Sequence, residues 1–154
     1  MSGGCRIEIS GKLPAAAGIS RGELKAAARY FAECSSRRCG APFRSVAVVL
    51  QDDAASGEVH RAVMGVAGAT DVITQRYEAM PPEPEGVYGE LYVNADRALD
   101  ACPKRKNWSA AKELLLYVAH GMDHLSGADD AGDADYAAMR RRELRWIANL
   151  PARS

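Results

Sequence analysis

At 154 residues, 47% of them hydrophobic, the chain is the size of one domain, 1–154, and can bury a core without disulfide or metal staples. Twenty basic residues balance twenty acidic ones, which excludes recruitment of nucleic acid by an overall field; any RNA contact has to be local. No run approaches the ~18 to 20 apolar residues of a membrane span, and the N-terminus lacks a basic stretch followed by an apolar run, so a cytoplasmic protein with no membrane partner is expected.

Residues 5 to 9 alternate apolar and charged side chains, which predicts a first strand with one face covered. Ser20 and Glu23 form a capping-box signal for a helix through Glu33, with Leu24, Ala27, Ala28 and Phe31 as its core face. Ser45 to Leu50 is a short continuous apolar run, the pattern of a central strand buried on both sides. A weak helix over 54 to 64 carries His60, read as an ordinary surface histidine, and a glycine-rich loop follows from Gly65 to Ala69. Strands at 71 to 75 and 87 to 94 flank a proline-rich loop, and a short helix spans 95 to 101. Asp71 is expected to brace a turn. The basic run from Cys102 to Asn107 reads as a solvated loop. A last helix runs from Asp133, its expected N-cap, to Leu150, packing through Tyr136, Met139, Leu144 and Ile147. Its arginines 140, 141, 142 and 145 alternate with Glu143, which suggests a solvated face. Cys5, Cys34, Cys39 and Cys102 lack the tight paired spacing of a zinc cluster and read as free thiols.

The stretch from Asn107 to Asp130 carries two of the three histidines. Ala111, Leu114, Leu115, Val118, Met122 and Leu125 recur at three- and four-residue steps, which predicts a helix with one buried face. His120 and His124 then project from the same side, one turn apart, close enough to share a metal. Gly127 can end the helix in a left-handed conformation and turn the chain back, so that Asp130 closes the site. A His, His, carboxylate set with an open position suits zinc, and the same donors suit ferrous iron. For a bare H-x3-H, histidines that merely cap a polar face are the alternative.

His120-Gly121-Met122-Asp123-His124-Leu125-Ser126-Gly127-Ala128-Asp129-Asp130 resembles the signature H-G-x-L-H-L-x-G-Y-D-H of the YbeY family of metal-dependent ribosomal-RNA maturation endoribonucleases. Upstream, Ala69-Thr70-Asp71-Val72-Ile73-Thr74 is similar to the family's P-T-D-V-L-S, and Tyr88-Gly89-Glu90-Leu91-Tyr92-Val93 to its L-G-D-I-x-I. The three blocks agree in order and spacing over residues 45 to 149. The resemblance implies one divalent ion, zinc first, held by His120, His124 and Asp130, with ribosomal RNA or the small ribosomal subunit as partner and no nucleotide cofactor.

Three departures stand out. Asp130 replaces the family's third histidine, and the added negative charge weakens the metal as a Lewis acid. Met64 falls where the family has an arginine six residues before the T-D-V block. Gln75 and Arg76 replace its phenylalanine and proline. A guanidinium is well suited to grip a phosphate, and Arg61 and Arg76 are the candidates to supply one.

The expected fold is α+β, a small mixed sheet of about four strands with about five helices and the metal site on a helix of the C-terminal half. The expected function is metal-dependent endoribonucleolytic cleavage in small-subunit rRNA maturation. The alternative is a ribosome-biogenesis factor that keeps the fold and metal but binds RNA without cutting it. An H-E-x-x-H peptidase is disfavoured, since Gly121 stands where that motif has its glutamate.

Overall fold

The computed structural model of the chain describes residues 4–101 and 107–151. The strands are β1 (Arg6–Gly11), β2 (Phe43–Gln51), β3 (Val72–Tyr77) and β4 (Val87–Asn94). They form one mixed sheet in the order β1-β2-β4-β3, with β1, β2 and β4 parallel and β3 antiparallel at the edge. The helices are α1 (Arg21–Cys39), α2 (Asp53–Met64), α3 (Ala95–Ala101), α4 (Ala110–Leu125) and α5 (Asp133–Ala148), with a short 3-10 turn at Ala15–Ala17. The expected α+β class, the four strands and the five helices are all present.

Parallel neighbours need a crossover, and α1 supplies the one between β1 and β2. Its capping box is complete: the Glu23 N–H donates to Ser20 Oγ at 3.1 Å and the Ser20 N–H to Glu23 Oε1 at 2.9 Å. The helix runs six residues past the expected end at Glu33, because Cys34 and Ser35 are still buried and the turn comes only at Gly40. This extension brings Arg38 within reach of the C-terminal end of α4.

Ile7, Val46, Val48, Leu50, Leu91 and Val93 point to one face of the sheet and meet Leu24, Ala28 and Phe31 of α1 and Leu114, Val118 and Met122 of α4 in a single core. Phe31 stacks on Trp146 of α5 with ring centroids 6.4 Å apart. β2 is interior as expected, but its burial alternates: Val46, Val48 and Leu50 are buried while Ser45, Ala47 and Val49 are only half-buried. The helical layer lies against one face, so a continuous apolar run does not here mean two equally covered faces. Conversely, α4 is buried nearly all round, with Glu113, Leu116, Tyr117, Ala119 and Asp123 added to the expected stripe. A helix gripped between a sheet and three other helices, α1, α3 and α5, has little surface left to give to solvent.

Two glycines let α4 lie this close. A Cβ on Gly121 would be 2.7 Å from Leu91 Cδ2, and one on Gly89 would be 2.5 Å from Leu125 Cδ2. Gly121→Ala is therefore expected to force Leu91 or the helix outward and to cost about 1 to 3 kcal/mol, read as a lowered midpoint in urea unfolding. The same crowding leaves no room for a peptidase glutamate at this position.

The basic run at 102 to 106, Cys102 included, lies outside the described residues. Cys5, Cys34 and Cys39 are free thiols, and burial raises that of Cys5 to about 11. Among the described residues no helix is long and apolar enough to cross a membrane.

Candidate metal centre

The last turn of α4 presents His120 and His124 side by side. Their Nε2 atoms are 3.1 Å apart. After Ser126, Gly127 adopts φ +95° and the chain doubles back. That return brings Asp130 Oδ2 to 3.3 Å from both Nε2 atoms. Asp129 is engaged differently: its Oδ1 accepts the Ala131 N–H at 3.0 Å, a local turn bond. Three donors of a tetrahedral zinc at about 2.0 to 2.1 Å must lie about 3.3 to 3.4 Å from one another. The observed triangle fits that requirement, and its atom types are ones zinc accepts.

Each imidazole is oriented from behind. His124 Nδ1 lies 3.1 Å from the Ala128 carbonyl, and His120 Nδ1 lies 2.9 Å from Glu143 Oε2 on α5. A ring whose Nδ1–H donates in this way keeps Nε2 as a lone pair for the ion. Glu143, expected from its arginine neighbours to lie on a solvated face, is fully buried. The buried stripe of α5 is Met139, Glu143 and Trp146, while the expected packing residues Tyr136 and Leu144 are exposed at 45% and 38%. The N-cap of α5 is Gly132, with no side-chain cap bond, and Asp133 is the first helical residue. A glutamate four residues past a core methionine was the available signal, because it shares the helix face of Met139.

Asp123 points away from the donors, as its place in the helix predicts. It is fully buried and accepts from Nε and Nη2 of Arg142 at 2.9 to 3.2 Å, with Arg38 Nε 3.5 Å away.

The donors open into a cleft of about 540 Å3, also lined by His60 and Met64 of α2, Thr70 and Asp71 of the following loop, and Arg76 of β3. Asp71 Oδ1 accepts the Val72 N–H at 2.8 Å, the bracing expected of it. His60, read from the sequence as a surface residue, faces this cleft, with Nδ1 2.8 Å from the Gly68 carbonyl. Of the two candidate arginines, Arg76 lines the cleft, with Nη1 donating to the Leu125 carbonyl at 2.9 Å. Arg61 is exposed in the last turn of α2 and is not among the lining residues. Met64 is at the cleft with 61% of its surface exposed.

Burial disfavours charge on His120, yet the Glu143 bond and the carboxylates of Glu143, Asp130 and Asp71 outweigh it and raise the ring above 6.5. Burial raises Glu143 above 4.5, with the His120 bond and charge opposing. Both shifts are upward, so the metal-free protein keeps their stabilisation below the ordinary values and loses it as pH rises through the folded ones. Metal binding has the opposite dependence, since it needs the unprotonated ring. Between about pH 5 and 8, chelated protein is expected to lose melting temperature as the pH rises, while zinc affinity increases. Calorimetry and chelator competition over that range would check both.

In this small α+β protein the His, His, Asp donor set lies at the mouth of a cleft and could hold a divalent ion. Residues 16–151 match the family described as Endoribonuclease YbeY, and the chain belongs to that family. An Endoribonuclease YbeY from Chlorobium phaeobacteroides is 34% identical over 107 residues, covering 70% of this chain and 74% of that protein. One from Rhodopirellula baltica is 40% identical over 101 residues, 65% of this chain but 50% of its own length. The solution structure of TM1509 from Thermotoga maritima shares the fold, with a TM-score of 0.58 at 24% identity over 94% of this chain and 88% of that one.

Proposed function

We propose that this protein is a cytoplasmic, metal-dependent endoribonuclease that cuts ribosomal RNA during maturation of the small subunit. The observation that carries the reading is the donor triangle of His120, His124 and Asp130 opening into a cleft that also holds Arg76. Family membership adds the reaction class. Zinc is the ion that best suits the donors and their spacing. When bound, it lowers the pKa of water and polarises a phosphoryl oxygen.

The chain's own residues supply position and charge. His120 and His124 keep Nε2 toward the ion because their Nδ1 atoms are engaged behind them. Arg76 is anchored through one N–H to the Leu125 carbonyl, so its remaining donors are free to hold a phosphate over the cleft. This takes over the role of the arginine that Met64 replaces. RNA carries its own 2′-hydroxyl as an internal nucleophile.

The test is cleavage of a structured ribosomal RNA fragment by the wild-type protein with zinc restored and with chelator present. Metal-dependent internal cuts support the reading. Binding of ribosomal particles with no cutting of any RNA would replace it with a biogenesis factor that binds without cleaving.

A further inference from the structure

We infer that Glu143 is a positioning residue of the metal centre, and that α5 is thereby part of the site; this rests on the metal reading given above. Among the described residues, Glu143 is the one carboxylate that meets a donor histidine from behind. Its Oε2 lies 2.9 Å from His120 Nδ1 and its side chain has no solvent exposure. A buried carboxylate with a neutral imidazole is costly unless it receives that hydrogen bond, so the pair fixes both ring orientation and tautomer. Asp130, the third donor, comes from a loop and is a third exposed, so the rigidity has to be supplied at the histidines.

The surroundings of Glu143 hold it at the height of His120. One residue earlier on α5, Arg142 grips the buried Asp123 of α4 with four contacts of 2.9 to 3.2 Å. Arg38 of α1 approaches the same carboxylate and also donates to Ser126 Oγ. The clamp therefore ties α1, α4 and α5 together directly beneath the donors. Asp123 points away from the donor rings toward Arg142 and Arg38; Glu143 is the residue placed against His120.

The experiment compares wild type, Glu143→Gln and Glu143→Ala by zinc affinity in chelator competition and by the imidazole tautomer of His120 in long-range proton–nitrogen NMR of the metal-free proteins. Glutamine still accepts from Nδ1–H; alanine does not. Glu143→Ala is expected to bind zinc about 10- to 100-fold more weakly and to lose the Nδ1-protonated tautomer. Glu143→Gln should keep that tautomer and most of the affinity. A purely structural role would lower the melting temperature of both variants without moving the tautomer. If wild type binds zinc and Glu143→Ala binds it equally with an unchanged tautomer, the inference is overturned alone. If wild type takes no zinc, the metal reading and this inference fall together.

Discussion

His124→Ala is expected to take the protein from about one tightly bound divalent ion per chain to none. His124 Nε2 lies within 3.1 to 3.3 Å of both other donor atoms. Removing it leaves one imidazole and one partly exposed carboxylate, a pair that water readily outcompetes. Elemental analysis of protein purified without added metal reads the result directly, and equal metal content in the variant would refute the site. A paired control fixes the register. Asp130→Asn should lose the ion and Asp129→Asn should keep it, because Asp129 is engaged with the Ala131 N–H.

The second large effect concerns Arg76. If its guanidinium steadies the charge that builds on the phosphate, Arg76→Met should slow RNA cleavage about 100- to 1000-fold, or about 2.7 to 4 kcal/mol, with metal content unchanged. The converse substitution is Met64→Arg. Met64 is exposed and lines the same cleft, so an arginine there has both room and direction, and cleavage should rise. A rate unaltered by Arg76→Met would move the phosphate role to another group, with Arg61 the next to test.

The donor set was legible because it is local. His120, His124 and Asp130 are joined by helix pitch and one glycine turn, and both can be read from spacing. β4 and α3 were legible to the residue, since Val87 to Asn94 is a clean strand pattern and α3 follows it without a gap. What escaped the sequence depends on distant partners. Glu143 looks like a surface charge among arginines until His120 comes to face it from 23 positions away. Arg142 and Arg38 likewise find Asp123 only in the folded chain. His60 reads as a lone surface histidine, because nothing local reveals that β3 will place Thr74 and Arg76 in the cleft it faces. The two-sided burial expected of β2 failed for a related reason: hydrophobicity shows that a strand is interior to its sheet, but not how thick the layer on each face is.

The close approach at Gly89 and Gly121 also governs how the metal centre fills. With Leu125 against Gly89 and Leu91 against Gly121, α4 can neither slide along β4 nor roll on it without collision. The backbones of both histidines are thus fixed before any ion arrives. The ordering entropy of the two histidine backbones has been lost already during folding, so little of it remains to oppose binding. Where a metal has to build its own site, uptake waits on folding of the chain. Here uptake need not wait on folding of the helix, and removing the ion should leave the backbone of α4 where it is.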